Sequence, residues 1–261
     1  MSLDKLNHLK IDDFINEIMQ IQDKYPNYGL YQFKSLVSAN QYCQLYEIFL
    51  NYIAQDSKVL DWGCGNGHFS YFLLKACYQA SGFSFNDFKF REYLNQLDYE
   101  FEIGHIDEPK KIPFSNNTFD AVVSVGVLEH VRETGGNEID SLKEIYRILK
   151  PGGYFICYHF PNKLSWIELI SSLIPDKHHH EYRYNRKMIY SLCQQTGLEI
   201  VEVKRYGFLP RNIWCNLPKE IKNNHLICNI WNISDEILKY PFSLLSQNYL
   251  FIARKQQSCI S

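Results

Sequence analysis

Apolar positions change their spacing along the chain. Over residues 3–21, Leu3, Leu6, Ile11, Phe14, Ile15, Ile18 and Met19 recur near one helical face, and Tyr42, Tyr46, Phe49, Leu50 and Ile53 repeat the pattern over 40–54. Both stretches are predicted helices, separated around Pro26 and Gly29. From residue 58 short apolar runs alternate with longer amphipathic stretches, the signature of a parallel sheet covered by helices. Strands are expected near 58–62, 79–84, 100–104, 119–125 and 154–159, with two more at 198–208 and 248–255, seven in all. The helix before the fifth strand is delimited at both ends. Gly135 and Gly136 precede it, Asn137 can cap it, Glu138 and Asp140 stand in its first turn, and Pro151-Gly152-Gly153 stops it. Right-handed connections should join the parallel strands.

Composition narrows the class. With 261 residues, 46% of them apolar and 21% charged, the chain can bury a large α/β core, and a disordered chain would lack this apolar mass. A net charge of −2 cannot supply the cationic surface that non-specific nucleic-acid binding needs, so no nucleic-acid partner is expected. No apolar run reaches transmembrane length and the N-terminal stretch MSLDKLNHLKIDDF lacks a signal-peptide core, which predicts no transmembrane segment and a cytoplasmic location. The eight cysteines are scattered without a CxxC pair, so they are expected to be free thiols and to form neither a disulfide framework nor a structural zinc site.

The chemistry concentrates in VLDWGCGNGHF at 59–69, where a predicted strand carries Asp61 near its end and then Gly63, Gly65 and Gly67 open a helix. Glycine is required where a turn adopts unusual dihedrals and a ligand must approach bare backbone. With Asn66 and His68 in place the run does not match GxGxxG, and GxxxxGK[ST] is absent. Instead Asp61-x-Gly63-x-Gly65-x-Gly67 resembles the first motif of class I S-adenosylmethionine-dependent methyltransferases. IPFSNNTFDAVVSVGVLEHV at 112–131 is similar to that family's fourth-strand block and RILKPGGYF at 147–155 to its fifth-strand block. Within the family the three ordered motifs resemble the small-molecule branch, methyltransferase type 11, which includes ubiquinone-biosynthesis-like, sugar and polyketide enzymes.

The resemblance implies a Rossmann-like α/β fold: a seven-stranded, mostly parallel sheet flanked by helices, with an antiparallel last strand. It implies S-adenosyl-L-methionine as cofactor, S-adenosyl-L-homocysteine as product, and in-line transfer of a methyl group to a small-molecule acceptor such as a sugar, quinone, lipid or other metabolite. Asp61 would anchor the loop and the methionyl ammonium, while Gly63, Cys64, Gly65 and Gly67 would let backbone meet methionine and ribose. Asp107 would take the adenine amino group, with His105 as the rival register, Phe85 would face the adenine ring, and Ser124 and Val125 would close the methionine side. The family usually ends its second strand with an acidic residue at the ribose, whereas GFSFND at 82–87 puts Ser84 there. Either Ser84 bonds the ribose as a neutral group, or Asn86 or Asp87 reaches back, or cofactor binding has decayed to a non-catalytic module. The SVGVLEH sequence after the fourth strand does not match the NPPY-like segment of base-amino methyltransferases.

Other candidates stand on position alone. His130 follows the fourth strand and His159 ends the fifth, where parallel sheets place ligands, so each is a candidate general base or a structural brace. His178-His179-His180 invites a metal reading, but adjacent side chains point apart, so no metal is expected there. His179, His180 and Tyr182 or Tyr184 are instead candidates to face the acceptor. The apolar face of LSWIELISSLI at 164–174 is expected to cover a core or the site's mouth, and Lys204, Arg205 and Arg211 to be solvated. The expected organisation is N-terminal helices over residues 1–56 covering the site, and a core over 57–261 whose inserts at about 160–195 and 209–246 roof the acceptor.

Overall fold

Each short apolar run becomes a strand because successive side chains enter opposite cores. In the computed structural model, which describes residues 9–105, 107–177 and 179–257, Val59, Ala121 and Val123 face one core while Leu60 and Val122 face the other. The strands are β1 Lys58–Trp62, β2 Gln79–Ser84, β3 Glu100–Ile103, β4 Phe119–Val125, β5 Leu149–Pro161, β6 Leu198–Tyr206 and β7 Asn248–Lys255. They form one sheet in the order β3-β2-β1-β4-β5-β7-β6, parallel except for β7, which runs antiparallel to both neighbours. The chain leaves β1 for β2 on one side and later returns to β4 on the other, so the strand order reverses at β1 and opens a crevice beyond the strand ends.

The main helices are α1 Ile11–Lys24, α2 Cys43–Tyr52, α3 His68–Lys75, α4 Glu138–Ile148, α5 Trp166–Leu173, α6 Arg186–Thr196 and α7 His225–Lys239. Phe14 and Ile18 of α1, Tyr46 and Phe49 of α2, and Phe69 and Phe72 of α3 build one core. Leu142 and Ile145 of α4 with Ile189 and Cys193 of α6 build the other. The Asn137 cap and the end at Ile148 agree with the sequence, and Asn137 Oδ1 accepts from the Asp140 amide at 2.8 Å.

Three expectations shift. The first helix is described from Ile11, and Leu3 and Leu6 lie outside the described residues. The fifth strand extends beyond 154–159 at both ends, at its start because Leu149 pairs with Phe119 of β4 and at its end because pairing with β7 continues to Pro161, past an irregularity between Cys157 and Phe160 where His159 adopts φ +65°. The α5 face is inverted: Glu168 and Ser171 are buried, while Leu169, Ile170 and Leu173 are exposed, because Glu168 turns inward to bond the His180 amide and ring. No helix among the described residues is long and apolar enough to cross a membrane.

Candidate functional site

The turn after β1 is held by its backbone. Gly63 and Cys64 amides both donate to the Phe83 carbonyl, at 2.8 and 3.0 Å, which fastens the turn to β2. Gly63, Gly65 and Gly67 have φ of +72°, +53° and +79°, a region that side chains disfavour. A Cβ on Gly63 would lie 2.4 Å from Val127, whereas the exposed Gly65 has only its neighbour's carbonyl at 3.8 Å and offers open backbone. Asp61 is 2% exposed and turns inward, accepting from the Ser70 hydroxyl at 2.7 Å, and Ser70 meets the Tyr99 hydroxyl at 2.9 Å. It therefore ties β1 to α3 beneath the turn, and burial pushes its carboxyl up to about 7. Asn66 reaches the other way, donating to the Gly29 carbonyl at 3.0 Å and to Gln32 at 3.1 Å, so the segment between α1 and α2 closes onto the turn.

Around this turn Ser84 is partly buried at the end of β2, with its Oγ taking the Asn86 amide at 3.4 Å. Phe85 packs edge-on to Phe83 and over Gly104, where a Cβ would come within 2.7 Å of its ring. Asp107 and His105 are exposed beyond β3. Cys64 is buried, and burial raises its thiol pKa, which makes it inert. Ser124 is enclosed in the sheet with its hydroxyl beside the Cys157 thiol, so it does not face the crevice; Val125 does. Asp87 pairs with Arg91 at 2.6 Å and accepts from the Phe88 amide, so its carboxylate is engaged locally.

A cavity of about 820 Å³ begins at Val125 and Gly126, and its walls differ in chemistry. One wall is aromatic. Tyr42 stands between His68 and His159, 4.4 and 5.3 Å from their ring centres, with Tyr158 and Tyr206 stacked behind at 4.4 Å. The Tyr206 hydroxyl accepts from the His159 amide at 2.7 Å and meets Nδ1 at 2.9 Å, and the Asn248 amide group meets Nδ1 at 3.3 Å. Both neighbours of Nδ1 can donate, so we assign its lone pair to them and the ring proton to Nε2. Burial of the ring holds His159 at about 3, and likewise His68.

A second part of the lining is ionic, and it meets the aromatic part at Gly126, where Glu129 and His159 both come within 4 Å of the position of a Cβ. His130 Nδ1 lies 2.7 Å from Glu133, His180 Nδ1 lies 3.0 Å from Glu168, and the other Glu168 oxygen takes the His180 amide at 2.8 Å. Burial opposes charge on His180, yet the Glu168 hydrogen bond and charge, with Glu129 and Glu133 behind them, hold it above the ordinary imidazole value. Glu129, 2% exposed, is pushed up to about 8 by burial.

A family model described as a methyltransferase domain matches residues 36–203. The chain belongs to the S-adenosylmethionine-dependent methyltransferases. It is 33% identical over 104 residues to the ubiquinone/menaquinone biosynthesis C-methyltransferase UbiE of Desulfotalea psychrophila, covering 38% of this chain and 40% of that one. It is 28% identical over 177 residues to a demethylmenaquinone methyltransferase of Lysinibacillus sphaericus, covering 58% and 74%. Cycloartenol-C-24-methyltransferase 1 of Oryza sativa subsp. japonica is matched over 40% of this chain and only 30% of its own length, at 34% identity. In fold, a SAM-dependent methyltransferase from Archaeoglobus fulgidus superposes with a TM-score of 0.54 at 19% identity, over 91% of this chain and 99% of that one. Phosphoethanolamine N-methyltransferase 2 of Haemonchus contortus, solved with S-adenosyl-L-methionine, gives 0.55 at 18%, over 84% and 53%.

For this methyltransferase the residues fit the cofactor. The open backbone at Gly65, the apolar Phe85 and Val127 and the neutral Ser84 suit a ligand that carries amine, carboxylate and sulfonium but no phosphate. Of the acceptor candidates only His180 reaches the cavity. His179 is exposed with its Nδ1 3.2 Å from the Lys177 carbonyl, Tyr182 lies under Arg132 at 4.5 Å, and Tyr184 is buried on Phe160 and donates to Glu138. His178 lies outside the described residues. Arg211, expected to be solvated, lines the cavity instead, 2.6 Å from Asn232 and 3.4 Å from Asp235. Glu168 was hidden by a second role. Ser165 and Glu168 read as a capping box, and Ser165 Oγ does accept the Glu168 amide at 3.2 Å, yet the carboxylate points to His180.

Proposed function

We propose that this protein transfers a methyl group from S-adenosyl-L-methionine to a small-molecule acceptor held in the cavity, within the cytoplasm. The observation that carries this is the position of the cavity, which begins at Val125 and Gly126 on the tip of β4, beside the glycine turn that ends β1. Its volume of about 820 Å³ lies in the range of small-molecule sites, roughly 300–1,000 Å³. Gly63, Gly65 and Gly67 would present backbone to methionine and ribose, Ser84 would meet the ribose, Phe85 and Asp107 the adenine, and Val125 the methionine side. Asp61 would act from below by fixing the turn. When bound, S-adenosyl-L-methionine supplies an electrophilic methyl on sulfur. The chain's own part is to hold the acceptor in line, which by itself yields much of the acceleration in such a displacement.

In this reading His159 offers a donor at Nε2 that orients an acceptor oxygen, rather than a base, while Glu129, His130 and His180 face the acceptor from the ionic wall. The N-terminal helices within 1–56 and the inserts at about 160–195 and 209–246 would form the roof. Cavity residues Tyr42, Glu168, His180 and Arg211, drawn from these segments, support that division. The named relatives act, by their names, on quinone precursors and a sterol, which favours an apolar acceptor with a polar handle.

Thermal shift with S-adenosyl-L-homocysteine is the first test, since a ligand of the native state alone must raise the midpoint. Gly65→Val should abolish that shift in a folded protein; an unchanged shift would remove the cofactor assignment. Ser84→Asp should tighten binding by about tenfold, or 1.4 kcal/mol, if Ser84 lies at the ribose. No change on that substitution would move the ribose elsewhere. Cofactor binding with no turnover on any quinol, sterol or sugar acceptor would favour the non-catalytic module.

A further inference from the structure

We propose that Glu129, His130 and His180 bind one divalent transition-metal ion, Zn²⁺ in the first instance, at the mouth of the acceptor cavity. Their donor atoms lie within 4.8 Å of one another, and His130 Nε2 is 4.0 Å from Glu129 Oε1. Donors sharing a tetrahedral ion at 2.0–2.1 Å stand about 3.3–3.5 Å apart, so small side-chain rotations close the set. Two further observations point to a cation. Glu129 is 2% exposed, and its Oε2 has no hydrogen-bond partner among the described residues, which is costly for a buried polar oxygen and is relieved by a bound cation. In addition, each imidazole has its Nδ1 against a separate carboxylate, Glu133 at 2.7 Å and Glu168 at 3.0 Å. A carboxylate at Nδ1 fixes the ring's orientation, as it does for metal-binding histidines.

Two imidazoles and one carboxylate suit a borderline ion and leave coordination positions open. All three residues line the cavity, so an open position faces it. If the cavity is the acceptor site, which rests on the function proposed above, that position would take an acceptor oxygen and favour its ionised form. The sequence discouraged a metal because three consecutive histidines diverge. The structure draws only His180 from that run and supplies the other ligands from the short helix Leu128–Thr134 after β4.

The test uses untagged full-length protein, stripped of metal and titrated with ZnCl₂ by calorimetry and with CoCl₂ by visible absorption. One ion per chain should bind, with Co²⁺ giving the intense bands of a low-symmetry site. Glu129→Gln and His180→Ala should each weaken Zn²⁺ at least tenfold, Glu168→Gln roughly tenfold through ring orientation, and His225→Ala not at all. A far-UV circular dichroism spectrum and cooperative melt like the wild type's, retained in each variant, report an intact fold. Absence of saturable binding in the wild type overturns the site, as does wild-type affinity in both Glu129→Gln and His180→Ala. Stoichiometric Zn²⁺ binding lost in these variants upholds the site even if S-adenosyl-L-homocysteine gives no shift, a result that would count against the cofactor reading alone.

Discussion

The two walls of the cavity place histidines in comparable enclosure and opposite condition. His159 is surrounded by Tyr42, Tyr158 and Tyr206 and is held at about 3, whereas His180 beside Glu168 is held above the ordinary value. Burial acts against the charge on both, so the difference comes from the neighbours: His159 has a hydroxyl and an amide at Nδ1 and two imidazoles nearby, whereas His180 has a carboxylate at Nδ1 with Glu129 and Glu133 behind it. One cavity can thus hold a neutral donor and an ionisable cluster at the same pH. A donor orients an oxygen; a cluster of carboxylates and imidazoles can take its proton or hold a cation.

The largest effect that would break this comparison lies in the acid limb of stability. His68 and His159 resist protonation when folded but accept it near pH 6.5 when unfolded, so the unfolded chain binds more protons below that pH. Stability should therefore fall as the pH drops from about 6.5 toward about 3, by on the order of a few kcal/mol. Asp61, raised to about 7, acts in the opposite sense, losing stability as the pH rises from about 4 to about 7. Melting wild type beside His159→Gln isolates the imidazole, because the difference in midpoint should move in favour of the variant as the pH is lowered. A pH-independent difference would mean that His159 titrates normally. For the same reason the rate should show no inflection near pH 6–7 from His159.

A second experiment converts one wall into the other. Asn248→Asp puts a carboxylate where an amide now stands 3.3 Å from His159 Nδ1, and should raise its titration midpoint by roughly 1–3 units, read by proton NMR. An unmoved midpoint would show that enclosure alone sets the state. The converse, Glu168→Gln, should bring His180 below the ordinary imidazole value and slow turnover on the order of tenfold, with the cofactor's thermal shift kept. Equal turnover would detach Glu168 from the chemistry. The smallest effect is expected for Tyr206→Phe, which strips the His159 amide of its acceptor. About 1–2 kcal/mol should be lost, seen as a midpoint drop of a few degrees, and no drop would mean that this hydroxyl does not hold His159 in its left-handed conformation.

What the sequence determined by itself is the part of the molecule written in local code. Strand limits at 58–62, 119–125 and 248–255, the Asn137 cap and the three left-handed glycines follow from alternation, capping chemistry and the dihedral freedom of single residues. The motif order then gave the family and the cofactor. Tertiary structure decided which side chains share a space. Asp61 turned inward because Ser70 and Tyr99 lie under the turn, and Ser124 was lost to the sheet interior because its register pairs it with Cys157. The α5 helix inverted because its Glu168 bonds His180 across the cavity edge, a partner that the helix's own sequence does not contain. Glu129, His130, Glu168 and His180 meet from three separate segments, and no periodicity within any one of them could announce the others. Local propensity is a property of neighbours in sequence; a site made by long-range closure is legible only once the chain has folded.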